Sequence, residues 1–507
     1  MIKYTINSKV KGDCLILPLF EDKGFDKSIK DLDRKFDGLV SAAKEGKDFE
    51  GKKLENLWLL TGNKEVPRVF LIGLGKEKDF NASLWKQVVG TAVVLVQNKK
   101  IDKLSIIFSS VIVKKVVGKV LGQETVVAIE IASYSYDEFK TDEESKIKDL
   151  KEVCFVGEID IKIKKQIEIG IEDGKKIGEG INFARHLGNI PPTIMTPAFL
   201  AKETEKIGKN NAKVKTKILG REEMKKLGMG CILAVARGSR LEPKFIIVEY
   251  NGASKKQKPV VLVGKGITYD SGGISLKPGN YLTDMKYDML GAASVLGGIK
   301  TAIDLNLKKN IVALIPAAEN MPGGDAFRPD DILTAMNGKT VEILNTDAEG
   351  RLILADALCY AHKYEPEEVV DFATLTGACM VALGGDRSGL FSPETNLVEK
   401  LLKSSKTVGE KLWHLPLGEE YSEAVKSKIA DIKNTGNVGG RGYGGASTAA
   451  AFLQFFTEEK KGEAVIVYPW AHIDLASALF STSAPGKTWI REGANGFGVQ
   501  TIVEYLK

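Results

Sequence analysis

The chain has 507 residues, 43% hydrophobic and 27% charged. That is too long for one ordinary core and typical of globular composition, so at least two domains are expected. No apolar run approaches the roughly 18 residues of a membrane span, and Met1–Lys9 lacks the apolar core of a signal peptide, so a cytoplasmic address without membrane contact is the expectation. From residue 12 to 160, short apolar runs alternate with amphipathic stretches. Cys14–Leu19, Leu57–Leu60, Val69–Gly73 and Leu104–Phe108 read as buried strands, and the stretches near 25–45, 82–98 and 114–132 as helices. Such alternation predicts an α/β layer with a largely parallel sheet. The Gly73-Leu74-Gly75-Lys76 turn lacks the spacing of a phosphate-binding loop and reads as a plain strand-to-helix turn.

From Ile163, apolar residues recur at 167, 171, 177, 181 and 184, close to a 3.6 period, while Lys and Glu fill the other face. Gly170, Gly174 and Gly178 weaken an isolated helix and permit close packing. Gly188 and Pro191-Pro192 end it. This helix, 161–189, is read as the linker between an N-terminal domain, 1–160, and a C-terminal domain, 190–507. The net charge of +6 lies in 161–220, which carries 12 basic and 6 acidic residues. A lysine-rich solvated helix face is the favoured reading, with a nucleic-acid footprint as the alternative. The five cysteines (Cys14, Cys154, Cys231, Cys359, Cys379) show no C-x-x-C spacing and read as buried free thiols.

The C-terminal domain is again α/β. Three strand-like runs, 259–263, 310–315 and 369–375, lead into polar or glycine-rich turns, and open α/β sheets bind ligands past the carboxyl ends of such strands. Between 264 and 288 stand Lys265, Asp270, Lys277, Asp284 and Asp288. A second cluster is Asn345-Thr346-Asp347-Ala348-Glu349-Gly350-Arg351-Leu352. If that octet is extended, residues 347, 349 and 351 point to one side. Gathering Asp270, Asp288, Asp347 and Glu349 in one apolar cleft is prohibitive unless cations neutralise them, and four negative charges balance two divalent ions. With only four histidines in the chain, oxygen ligands suit Mg, Mn or a carboxylate-held Zn pair.

The stretches Val263–Gly273 and Asn345–Leu352, with Met321-Pro322-Gly323, Trp470–Asp474 and Gly493–Gly498, resemble the signatures of the cytosol-type leucine aminopeptidases. The resemblance covers most of 190–507. It implies two α/β domains joined by a long helix, the C-terminal catalytic one built on a mixed central sheet flanked by helices. It also implies a homohexamer and hydrolysis of N-terminal residues, preferably Leu or another apolar one, from peptides.

Five metal ligands follow from the same resemblance. Asp270 and Glu349 would bridge two divalent ions (Zn or Mn, with Mg or Co as alternatives), Lys265 and Asp288 would complete one site, and Asp347 the other. Lys277 would polarise the scissile carbonyl, and Arg351 would hold a bicarbonate acting as general base. Met285, Thr374 and Gly377 match positions lining the first-residue pocket. A DNA-binding role, known for some members of the family, is the alternative. Two departures stand out: Asn337-Gly338-Lys339, read as a surface change of little consequence, and the uneven glycine-rich stretch 434–443. His472 reads as a packed, hydrogen-bonded imidazole rather than a base.

Overall fold

A computed structural model describes residues 2–440, 442–476 and 489–507. The chain divides into two compact units: the first runs to Glu179 and also takes in residues 489–492, inside the span expected for the C-terminal domain, and the second holds the described residues from Gly180 to Ala476 and Gly493–Lys507. Among the described residues, the first unit has strands β1 (Lys3–Asn7), β2 (Cys14–Leu19), β3 (Asn56–Leu60), β4 (Arg68–Gly73), β5 (Lys103–Ile107) and β6 (Glu152–Val156). They form one sheet in the order β1-β6-β5-β2-β4-β3. Only the β3–β4 pair is antiparallel. Alternate residues of one strand serve opposite cores: Ile16, Phe70 and Ile106 join one apolar cluster, and Leu15, Leu17 and Leu71 the other. Both faces are therefore covered, as a mainly parallel sheet requires.

The helices expected near 82–98 and 114–132 are α1 (Ala82–Gln97) and α2 (Gly118–Ser133), the latter preceded by the separate short helix Ser110–Lys115. The stretch 25–45 is two helices rather than one. Asp37 and Gly38 adopt positive φ between Lys27–Lys35 and Leu39–Glu45, which breaks the helical path. The long amphipathic helix is α3 (Ile161–Asn189), and the unit boundary falls inside it. Its glycines fit the expected close packing. A Cβ on Gly170 would lie 2.0 Å from the Lys119 carbonyl oxygen, and one on Gly174 2.8 Å from that of Gln123, so α2 and α3 touch backbone to backbone.

The second unit is built on a mixed sheet of nine strands among the described residues. These are β7 (Val214–Leu219), β8 (Lys244–Asn251), β9 (Val260–Gly264), β10 (Gly266–Asp270), β11 (Asn310–Asn320), β12 (Glu368–Ala373), β13 (Ser388–Phe391), β14 (Leu412–His414) and β15 (Trp470–Asp474). The order is β14-β13-β15-β12-β9-β11-β8-β7, and β10 also pairs with β11. The central strands β15, β12, β9 and β11 are parallel, while β8 and β13 enter antiparallel. Helix α4 (Leu290–Asp304) packs on β9 and β12, and α5 (Gly350–Ala361) on β9 and β11. Val261 and Val263 belong to the same apolar cluster as α5, so by strand alternation Val260 and Leu262 face the other side. Every residue of α5 is buried.

Candidate metal centre

Strands β9 and β10 both run parallel to β11, matching Leu314 to Val263 and Ala317 to Gly266. They are one strand interrupted at Lys265. There the backbone is held from two sides: Lys265 N–H donates to Phe372 C=O at 3.0 Å, and Lys265 C=O accepts from Ala292 N–H at 2.8 Å. The Lys265 side chain is buried. Its Nζ lies 2.8 Å from Asp288 Oδ1, 2.9 Å from Thr374 C=O and 3.0 Å from Glu349 Oε1. Asp288 comes from the 3-10 turn Met285–Met289 that leads into α4, Thr374 follows the carboxyl end of β12, and Asp270 ends β10. The chemistry thus sits past the carboxyl ends of the parallel strands, where the sequence placed it.

The octet is not a strand. Asp347 lies in a turn, Glu349 has helical backbone (φ −82°, ψ −34°), and Arg351 is already in the first turn of α5. The period-two expectation failed because the apolar run 352–355 draws the chain into a wholly buried helix starting at Gly350. The turn nevertheless brings the carboxylates together. Asp270, Asp347 and Glu349 each offer an oxygen within 4.8 Å of the others. Lys277 spans two of them, with Nζ 2.7 Å from Asp270 Oδ2 and paired to Asp347 as well. Asp284 stays exposed; its left-handed backbone (φ 71°) makes it a turn residue outside the cluster.

Burial disfavours every charge in this group. Asp347 is pushed up to about 7 by burial and by the carboxylates of Asp270 and Glu349, against the pull of Lys277. Burial and Asp270 raise Glu349, and burial holds Asp288 well above the usual carboxylate range although Lys265 opposes it. Burial also works against the ammonium groups of Lys265 and Lys277, but the facing carboxylates outweigh it and both rise above the lysine range. Among the described residues, the ammonium groups of Lys265 and Lys277 are the ion-pair partners of Asp270, Asp288, Asp347 and Glu349, two cations against four carboxylates. Asp288 Oδ2 and Glu349 Oε2 are buried with no hydrogen-bond partner. Such oxygens are costly to leave bare, and divalent cations satisfy them, so the donor set fits metal ions.

Arg351 Nη1 donates to Asn434 C=O at 2.8 Å, while its buried Nε has no partner. Burial brings the guanidinium down to about 10, against Glu349 and Asp474. Thr374 Oγ1 lies 2.6 Å from Asp288 Oδ1, Met285 is half-buried, and a Cβ on Gly377 would meet open space.

Several contributors were not singled out from the sequence. Asn320, ending β11, donates from Nδ2 to Asp270 Oδ1 (2.8 Å) and Thr346 C=O (3.1 Å). Thr346 donates to Gly272 C=O (2.6 Å), and Asp474 accepts from Thr376 Oγ1 (2.7 Å). Asn320 and Asp474 are the last residues of their strands and Thr346 lies inside the octet, and that position was the available signal. His472 is the packed imidazole expected, fully buried with Nδ1 2.6 Å from Asp371 Oδ1. Lys339 is more than a surface change. Its Nζ bonds Phe455 C=O at 2.7 Å and sits 3.8 Å from the Phe455 ring centroid.

The cytosol aminopeptidase family's catalytic-domain model matches residues 182–503, and its N-terminal-domain model matches 16–143. The chain belongs to the cytosol aminopeptidase family. A probable cytosol aminopeptidase of Alkalilimnicola ehrlichii is 40% identical over 99% of this chain and 98% of that one. Another, from Burkholderia cenocepacia, is 39% identical over 98% and 95%. Among solved structures, a mutant of tomato leucine aminopeptidase aligns with TM-score 0.85 at 32% identity, over 100% of this chain and 96% of that one. The bottromycin maturation enzyme BotP in complex with Mn aligns with TM-score 0.81 at 27% identity, over 98% and 99%. The chain is a metal-dependent aminopeptidase, hydrolysing peptides at their N-termini. Among the described residues, no helix is long and apolar enough to cross a membrane.

Proposed function

We propose that this aminopeptidase works with two divalent ions, zinc or manganese with cobalt or magnesium as alternatives, and prefers peptides beginning with leucine or another apolar residue. The observation that carries the reading is the convergence of Asp270, Asp347 and Glu349 within 4.8 Å beside buried, unpartnered oxygens of Asp288 and Glu349. Lys265, Asp270, Asp288, Asp347 and Glu349 would hold the ions. The manganese complex of the similar BotP supports this class of ion. When bound, the ions supply Lewis acidity toward the scissile carbonyl and acidify water.

The chain's own residues do the rest. Lys277, kept charged by Asp270 and Asp347, turns its ammonium to the carbonyl oxygen of the substrate, where negative charge develops. Arg351, fixed through Nη1 with Nε left open, would hold a bicarbonate, which would supply a base toward water so that no ligand carboxylate has to serve as one. Met285 gives the first-residue pocket a soft apolar wall. Gly377 leaves it room, and Thr374 makes no polar demand on it because its hydroxyl is bonded to Asp288.

The test pairs exhaustive chelation with metal analysis and turnover of a panel of aminoacyl p-nitroanilides. Chelation is expected to abolish hydrolysis, and Mn, Co or Zn to restore it, with two ions per chain at full activity. Leu is expected to exceed Gly and Asp by about tenfold or more. Undiminished turnover by metal-free protein sinks the reading.

A further inference from the structure

Asn434 is fully buried, and both ends of the residue are engaged around the metal-site loop. The short strand Ile432–Lys433 runs parallel to Thr340–Glu342, pairing Ile432 with Val341 and Lys433 with Glu342. Asn434 N–H extends the ladder onto Glu342 C=O at 2.9 Å. Past that point the Asn434 side chain continues the pairing. Its Oδ1 accepts from Leu344 N–H at 2.8 Å, and its Nδ2 donates to Asn345 C=O at 2.6 Å. Asn345 Oδ1 in turn accepts from Asp347 N–H at 2.9 Å, which sets the turn that aims Asp347. Meanwhile the carbonyl of Asn434 accepts from Arg351 Nη1 at 2.8 Å.

We propose that Asn434 is a positioning residue for the hydrolysis, holding Asp347 and Arg351 in one register through its amide and its carbonyl. A primary amide is the group that suits this place, because it offers an acceptor to one backbone N–H and a donor to one backbone C=O. Aspartate sets an oxygen against the Asn345 carbonyl, and alanine removes the partner of the Leu344 N–H and of the Asn345 carbonyl together. The inference rests on Asp347 being a metal ligand.

The test measures Mn2+ stoichiometry and affinity by chelator competition, with kcat and KM, for wild type, Asn434→Ala, Asn434→Asp, Asp347→Ala and Asp431→Asn. Asp431 is an exposed control on the same strand pair. Its Oδ2 takes the N–H and O–H of Thr340 at 2.7 and 2.8 Å and does not reach residues 344–347. Both Asn434 variants are expected to bind the second Mn2+ about 10–100-fold more weakly. Their kcat should fall with little change in KM and recover partly as Mn2+ is raised. Asp431→Asn is expected to lower the unfolding midpoint and leave Mn2+ affinity and kcat unchanged.

If Asp347→Ala loses one ion while a folded Asn434→Asp keeps wild-type affinity and kcat, the proposal is overturned alone. An equal loss in Asp431→Asn overturns it too, reducing Asn434 to general strand pairing. Retention of both ions by Asp347→Ala overturns the ligand assignment and the proposal with it.

Discussion

Gly350 leaves no space between α5 and the side chain of Lys265: a Cβ there would lie 2.3 Å from Lys265 Cε and 2.6 Å from its Nζ. Lys265 has nowhere to retreat, since its Nζ is already held by Asp288, Glu349 and the Thr374 carbonyl. Gly350→Ala should therefore displace Lys265 from the carboxylates while leaving the helix itself competent, alanine being the better helix former. A shift of this size costs about 100-fold in kcat/KM. Steady-state kinetics on Leu-p-nitroanilide, with circular dichroism to show that the fold is retained, measures it. Wild-type turnover would mean that Lys265 has no exacting position to keep.

Lys277 differs from Lys265 in what it is free to do. It is less deeply buried, reaches from the turn after Gly273, and among the described residues pairs with the carboxylates of Asp270 and Asp347. Lys277→Met should lower kcat by about 100–1,000-fold, the usual loss for one donor to a developing oxyanion. KM and the number of bound ions should change little. Loss of an ion together with kcat would instead make Lys277 part of the metal-holding set.

Much of this centre was legible because its chemistry is concentrated in two short stretches. Lys265 and Asp270 follow a buried strand, Asp347 and Glu349 precede a helix, and neither cluster makes sense as core or as surface. What the sequence hid is how the clusters are joined. Asn434 lies 87 positions beyond Asp347 in a glycine-rich stretch, and only the parallel pairing of Ile432 with Val341 brings it to residues 344 and 345. The octet's shape was misjudged for a related reason. Alternating charges suggested a strand, but the buried helix begun by Gly350 overrode local pattern. Lys339 shows the same limit on the periphery, where a residue that reads as solvated reaches over the Phe455 ring.

Further along the same helix, Asp356 is fully buried and accepts from Ile232 N–H and Met336 N–H, each at 2.9 Å. Burial pushes its carboxyl up to about 7 in spite of those bonds. An unfolded aspartic acid ionises near 3.9, so between about pH 4 and 7 the folded chain holds a proton that the unfolded chain has lost. Stability from this residue is thus complete below about pH 4, falls as pH rises toward 7, and levels off above it. Asp356→Asn removes that slope, at a cost of about 1–3 kcal/mol for the backbone N–H it leaves unpaired. Urea midpoints of metal-free wild type and variant from pH 5 to 8 should show the wild-type advantage shrinking with rising pH. A constant gap would show that Asp356 is already ionised throughout.

Arg351 is a buried guanidinium in the first turn of α5. One edge of its guanidinium is tied to the Asn434 carbonyl, its Nε is buried without a partner, and with its ionisation brought down only to about 10 it remains a cation at neutral pH. A planar cation anchored at one corner and open at another suits a small planar oxyanion. If bicarbonate is held there as the base, stripping carbon dioxide from the buffer should lower wild-type kcat, and added bicarbonate should restore it along a saturable curve. Arg351→Ala should have low kcat in both buffers and no bicarbonate response, with both metals still bound. Its loss should also be smaller than that of Asp347→Ala, because water can partly replace the base whereas nothing replaces an absent ligand. A bicarbonate response that survives in Arg351→Ala would place the anion elsewhere and leave Arg351 a structural cation beneath Glu349.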